Sequence, residues 1–282
     1  MRNVFIPQDL QELWHVLSEN PDTVCYAGGT DLLVRMRSGA LDPVSLTWLD
    51  RIGDLKGVHD FGEEVFIGAC TTHSALLSDP LIGEHFPVLR KAVSVLGSPQ
   101  VRNMGTIGGN IVTASPAGDT LPPLFLLEAE LELRTCGSSR RIPIDRFIRG
   151  PGDTALAPSE ILAGLWLKKS GRFNIQHYEK VGRRKAMAVS IISLAAMMRL
   201  SGEGIVEEAK FAWGSAGPTI VRSPEAESLL KGSPLSHAAL EESARIARQA
   251  VRSIDDVRAG AEYRRALAGN LLFRLLQFSP VK

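Results

Sequence analysis

Gly97-Ser98-Pro99-Gln100-Val101-Arg102-Asn103-Met104-Gly105-Thr106-Ile107-Gly108-Gly109-Asn110-Ile111-Val112-Thr113-Ala114-Ser115-Pro116-Ala117-Gly118-Asp119 is the stretch whose reading decides the fold. It holds five glycines and two prolines and few large apolar side chains, so it reads as a loop that adds little to a core. Glycine lets a ligand approach the main chain closely. Successive N–H groups in such turns make a concavity for an anion, and a phosphate-bearing ligand suits it. An irregular surface loop is the plain alternative.

A second glycine turn lies upstream. Thr23 to Ala27 reads as a short buried strand, Gly28-Gly29-Thr30-Asp31 as a turn, and Leu32 to Arg37 as a helix. A strand, a glycine turn and a helix start can together meet a phosphate. The pattern is neither GxGxxG nor GxxxxGK[ST]. Two donor clusters fit one extended cofactor with two phosphates. Thr30, Thr106 and Thr113 add hydroxyls, Asn110 both donates and accepts, and Asp119 accepts. Each of these side chains could equally cap a turn.

Around these turns the pattern is mixed. Asp9 caps a helix with Leu10, Leu13, Trp14 and Leu17 on one face. Val58–Phe61 and Val65–Ala69 predict a hairpin, Thr72 caps a helix through Ser78, and Pro87 to Leu96 predicts another. Glu130–Arg134 pairs with Arg140–Ile144, and Asp145 caps a short turn. Ser159 onward leads into a strand ending near Leu167. Beyond the polar segment 168–173, strands are expected over 176–180, 189–200 and 205–213, with a turn at Gly202-Glu203-Gly204. Ser223-Pro224 starts a helix, Ser233-Pro234 a longer one through Ile254, and a last helix runs from Ala261 to Phe278. Strands followed by helices predict an α+β domain.

Composition narrows the function classes. The 282 residues suggest about two domains. A net charge of +1 gives no basic stripe for nucleic acid; the cluster Lys180, Arg183, Arg184, Lys185 is local. Cys25, Cys70 and Cys136 form no CxxC pair and are read as reduced thiols. Six scattered histidines show no HExxH spacing, and no GxSxG elbow is present, so no metal site and no catalytic nucleophile is assigned. There is no secretory signal pattern and no apolar run near the ~20 residues that span a bilayer, which predicts a cytoplasmic protein without a membrane span.

Tyr26-Ala27-Gly28-Gly29-Thr30-Asp31-Leu32, then Gly97 to Asn103, Thr106-Ile107-Gly108-Gly109-Asn110 and Thr113-Ala114-Ser115-Pro116, resemble the FAD-binding subunit of molybdenum hydroxylases. These are the xanthine dehydrogenase, carbon monoxide dehydrogenase and aldehyde oxidoreductase family. The likeness continues through Tyr178-Glu179-Lys180, Arg183 to Met187 and Glu262-Tyr263-Arg264-Arg265. It implies an α+β fold with a two-part FAD-binding domain of the vanillyl-alcohol-oxidase type. That domain is expected over 1–170, in parts 1–55 and 56–170. A smaller α+β domain with an antiparallel sheet follows over 171–282.

The resemblance also implies the FAD contacts. Cys25, Tyr26, Ala27, Gly28, Gly29, Thr30, Asp31 and Leu32 would wrap the pyrophosphate. Thr106, Gly108, Gly109, Asn110 and Thr113 would add pyrophosphate and ribityl contacts. Asp119 would lie near the flavin. Leu162 would offer backbone to the pyrimidine edge, and Lys180 would place a cation beside that edge, favouring the anionic reduced flavin. Leu96 stands where some members place an aromatic side chain. The family's Lys-Ala-Met-Asp reads Lys185-Ala186-Met187-Ala188 here, without the acid. No cysteine-rich insertion for an extra cluster, as in 4-hydroxybenzoyl-CoA reductases, is present.

The resulting expectation is an electron-transfer flavoprotein subunit of xanthine dehydrogenase type. Its large partner would carry the molybdenum cofactor, its small partner two-iron two-sulfur clusters, and NAD or another oxidant would take the electrons. The alternatives are a stand-alone flavin oxidoreductase of the same fold class and a non-redox nucleotide-binding assembly module. Colour separates a flavoprotein from the last of these.

Overall fold

The computed structural model describes residues 2–169, 171–184 and 189–279. The chain folds as two compact units that do not follow a single cut. The first gathers 1–81, 98–114 and 129–168; the second gathers 82–97, 115–128 and 169–282.

In the first unit β1 (Asn3–Phe5), β2 (Val24–Tyr26) and β3 (Ser45–Trp48) form a parallel sheet in the order β1-β3-β2. Parallel strands need crossovers, and the helix Leu10–Glu19 begins the connection from β1 to β2. Asp9 accepts the Glu12 N–H at 2.8 Å, as the sequence predicts, and Leu13 is fully buried. Leu13 joins Leu49, Ile52, Leu55, Cys70, Ile161 and Ala163 in one apolar cluster, with Leu10, Trp14 and Leu17 packed against it.

Further strands follow: β4 (Val58–Phe61), β5 (Glu64–Gly68), β6 (Glu130–Arg134), β7 (Ser139–Pro143), the short pair β8 (Ile148–Gly150) and β9 (Asp153–Thr154), and β10 (Ile161–Lys168). Five of them make an antiparallel sheet in the order β4-β5-β10-β6-β7. The two hairpins β4–β5 and β6–β7 are those expected from the sequence. A short helix Ile144–Phe147 follows; Pro143 holds its N-cap position, no side chain caps it, and Asp145 lies in its first turn instead of at the cap.

Residues 97–119 are not a loop. Ser98 caps a helix Pro99–Met104, and Thr106 caps a second, Ile107–Thr113. Ile107 and Ile111 are fully buried, so the stretch does contribute to the core. Tertiary packing overrides the poor helix propensity of two adjacent glycines here.

The second unit is built on an antiparallel sheet, β11 (Ile175–Val181), β12 (Ile192–Leu200), β13 (Val206–Gly214) and β14 (Val221–Arg222), in that order. Ile192, Leu194, Ala196 and Met198, alternate residues of β12, share one cluster with Ala226, Leu240, Ala244 and Leu272 of the C-terminal helices. The helices Pro87–Ser94 and Leu121–Leu126 also pack on this sheet. Ala195 and Met197, on the other face of β12, are accordingly buried too.

The C-terminal helices run Pro224–Leu230, His237–Ala250 and Ala261–Leu272, the last followed by a 3₁₀ segment Phe273–Phe278. Ser236, not Ser233, caps the second, because Pro234 pairs with Ile205 as an isolated bridge. The short helix Pro80–His85 and strand β1 carry no clear signal in the sequence.

Candidate functional site

The two glycine motifs lie in the first unit, and their backbones differ. After β2, the Tyr26 carbonyl accepts the Leu49 N–H at 2.8 Å and the Ala27 carbonyl accepts the Trp48 indole at 3.0 Å. The two carbonyls that lead into this turn are thus tied to β3 and the residue after it. Among the described residues, the N–H groups of Gly28, Gly29, Thr30, Asp31 and Leu32 find no acceptor. Gly28, Gly29 and Leu32 are half-buried, and Thr30 and Asp31 are exposed. Five consecutive donors without a protein acceptor, leading into the helix Leu32–Arg37, make a set that suits a diphosphate.

The turn is shaped by its glycines. A Cβ on Gly28 would stand 1.6 Å from the Met104 carbonyl oxygen, so only glycine fits. Gly29 has φ +69°, the left-handed region where an L side chain is strained. Cys25 and Tyr26 sit half-buried at the end of β2; burial pushes the Cys25 thiol up to about 11, so it stays protonated.

The second motif works differently. The N–H of Ile107 donates to the Thr71 carbonyl at 3.0 Å, that of Gly108 to the Ala69 carbonyl at 2.9 Å, and that of Gly109 to the Thr106 hydroxyl at 3.1 Å. Its first-turn donors are engaged inside the protein, which corrects the expected N–H concavity. Gly108 is a packing residue: a Cβ there would stand 2.5 Å from Ala69 Cβ. The Ala69 N–H in turn donates to the Ala163 carbonyl at 2.9 Å, next to Leu162. Leu162 is buried in β10 opposite Leu133, beside a register shift between Leu162 and Gly164. What the second motif presents is a helix face. Thr106, Gly109, Asn110 and Thr113 fall at i, i+3, i+4 and i+7. Asn110 and Thr113 are half-buried and Gly109 is exposed, while Thr106 is a buried cap.

Leu96, Asp119 and Lys180 come together in the second unit. Lys180 Nζ lies 2.5 Å from Asp119 Oδ2 and 3.5 Å from the Val95 carbonyl, one residue before the buried Leu96. The Tyr178 hydroxyl donates to Asp119 Oδ1 at 3.0 Å, and Ser193 hydrogen-bonds the phenol in turn. Burial raises the Asp119 pKa, and the Lys180 charge and its hydrogen bond oppose that rise. The Tyr178 phenol is pushed well up, by burial first and by the Asp119 charge second. The cation expected at Lys180 is one half of a buried ion pair with Asp119. The pair's net charge is about zero, so its field on a neighbour is that of a dipole. Removing one partner of such a pair costs about 3–5 kcal/mol.

Arg183 donates to the Val257 carbonyl at 3.2 Å. Lys185, Ala186, Met187 and Ala188 lie outside the described residues. No metal-ligating cluster is found among the described residues, and no helix among them is long and apolar enough to cross a membrane.

Residues 1–167 match the family described as FAD binding domain in molybdopterin dehydrogenase, and residues 176–278 match the CO dehydrogenase flavoprotein C-terminal domain. The putative xanthine dehydrogenase FAD-binding subunit of Escherichia coli is 31% identical over 259 residues, covering 90% of this chain and 88% of that one. The carbon monoxide dehydrogenase medium chain of Hydrogenophaga pseudoflava is 31% identical over 255 residues, with the same coverage. A solved structure of carbon monoxide dehydrogenase from that organism, lacking the Mo-pyranopterin moiety, superposes with a TM-score of 0.92 at 30% identity, covering 99% of this chain and 96% of that one. The likeness extends to the α+β architecture with its antiparallel C-terminal sheet.

Proposed function

The chain belongs to the family of FAD-binding subunits of molybdopterin dehydrogenases, and from that premise we propose that it holds FAD as the electron-transfer subunit of a molybdenum hydroxylase. The observation that carries the flavin reading is the row of acceptor-free N–H groups from Gly28 to Leu32. The diphosphate of FAD offers only acceptors, and the row of main-chain N–H groups in this turn offers donors to match. When bound, FAD supplies the exchange between one-electron carriers and a two-electron acceptor.

The chain's own residues hold and shape. Gly28 lets the turn close on the Met104 carbonyl. Cys25 and Tyr26 pair with β3 and the Ala27 carbonyl accepts the Trp48 indole, which holds the start of the turn in place. The helix face with Asn110 and Thr113 is proposed for the ribityl chain, beside Thr106, Gly108 and Gly109, which set that helix in place. Leu162, Leu96, Asp119 and Lys180 are proposed for the flavin ring on the resemblance. As an ion pair, Asp119 and Lys180 would set the ring's hydrogen bonding more than its charge. A domain boundary near 170 is supported by the two family matches.

The finer assignment is a heteromer with a large molybdenum-cofactor subunit and a small subunit carrying two-iron two-sulfur clusters, located in the cytoplasm. Its support is the naming of the relatives as FAD subunits and medium chains. Hydroxylation of a xanthine-type substrate and NAD as acceptor complete the reading. Identity does not select the substrate by itself: the FAD-subunit of nicotinate dehydrogenase from Eubacterium barkeri stands at 28%. The test is isolation from the native source with associated chains. A flavin spectrum, with molybdenum and iron in the co-purifying chains, is the expected result. Flavin without metals or partners would shift the reading to a stand-alone flavoenzyme. A colourless chain that also fails to take up added FAD would leave only the assembly module.

A further inference from the structure

His73 opens the helix His73–Ser78, and its backbone N–H donates to the Gly105 carbonyl at 3.0 Å. The side chain is 2% exposed. Its Nδ1 is enclosed without a partner, and among the described residues neither ring nitrogen makes a hydrogen bond. Its neighbours are satisfied: the Thr72 hydroxyl accepts the Ala75 N–H at 3.2 Å, and the Ser74 hydroxyl donates to Asn103 at 2.5 Å. A buried polar side chain with no partner asks for an explanation.

One edge of the ring and the first glycine turn both lie close to Gly105. A Cβ built on Gly105 would lie 3.3 Å from His73 Cδ2 and 3.2 Å from Thr30 Oγ1. The carbonyl of Met104, the residue before, is the atom that seats Gly28. So His73, Gly105, Gly28 and Thr30 form one corner, at the start of the acceptor-free N–H row. Burial and the Arg102 charge hold the His73 imidazole down to about 4, so it is neutral at pH 7. A neutral imidazole carries one N–H. Assigning it to Nε2 leaves the enclosed Nδ1 with a lone pair rather than a stranded N–H, and puts the donor on the ring atom bonded to Cδ2, the atom that lies near Gly105.

We propose that His73 is a binding residue of this site, its Nε2–H donating to the diphosphate of the nucleotide held by the Gly28–Leu32 turn. This rests on the flavin reading above. It adds an imidazole donor beside the backbone N–H row of this turn.

The test uses the full-length apo chain, titrated with FAD by flavin fluorescence and with ADP, which carries a diphosphate and no flavin. His73→Ala is expected to weaken both by about 10-fold, the loss of one hydrogen bond to a charged group. His73→Gln keeps an N–H donor and should recover most of that loss. In the ¹⁵N-histidine-labelled wild type, the Nε2 resonance of His73 should shift on adding ADP. Equal affinities of wild type and His73→Ala, or an unmoved resonance, would overturn the role of His73 and leave the flavin reading intact. Failure of the wild type to bind FAD would overturn both. If His73→Ala does not fold, the glutamine variant and the resonance decide.

Discussion

The two glycine-rich segments of the first unit look alike in sequence and act differently in structure. At Gly28–Leu32 the main-chain donors point to no protein acceptor; at Ile107–Gly109 each has one. Both segments need glycine, one for a turn pressed onto the Met104 carbonyl, the other for a helix pressed onto Ala69. Glycine therefore marks close backbone approach in both cases, and only the fate of the N–H groups tells which segment can receive an anion.

Substitution can break this comparison. The largest effect is expected for Gly28→Ala. The added Cβ meets a backbone carbonyl at 1.6 Å, which no side-chain motion relieves. We expect a loss of more than about 4 kcal/mol in denaturant unfolding and no FAD uptake at ordinary concentrations. Gly108→Ala meets Ala69 Cβ at 2.5 Å and its carbonyl oxygen at 2.7 Å. Overpacking of this kind costs about 2–3 kcal/mol, while the folded fraction should bind FAD as the wild type does. A large fall in FAD affinity at unchanged stability would show that the second segment also contributes main-chain donors. Thr106→Ala removes the cap on the Gly109 N–H and should cost about 1 kcal/mol. A melting curve of the apo chain with and without FAD reads it, and an FAD-dependent difference would place the Thr106 hydroxyl on the ligand.

Much of the architecture is readable from local pattern. The hairpins β4–β5 and β6–β7, the Gly202–Gly204 turn and the Asp9 and Thr72 caps depend on neighbouring residues, and they are found where expected. The helix Ile107–Thr113 is not readable, because Gly108 and Gly109 argue against a helix, and it is the close packing of Gly108 on Ala69, with the Thr106 cap, that favours it. Ser233-Pro234 carries a helix-start pattern, yet the bridge to Ile205 holds Pro234 outside the helix. At the site, the residue types are legible and their electrostatics are not. Lys180 and Asp119 are far apart in sequence, and their ion pair exists only because β11 and the segment before Leu121 meet in one core. His73 carries no sequence signal at all, since its interest lies in being buried and unpartnered.

The interleaving of the two units bears on how the protein is made. Residues 82–97 and 115–128 leave the ribosome well before β11, β12 and β13, the strands they pack against. Until those strands emerge, Leu121, Leu124 and Phe125 have no sheet to cover, and their apolar faces stand open to other chains. Nor can the first unit close early as one uninterrupted block, because its last strand, β10, comes after both excursions. The first unit cannot be completed until β10 has emerged, nor the second until the C-terminal strands have, and a chain cut near residue 170 would leave both excursions without the sheet they pack on.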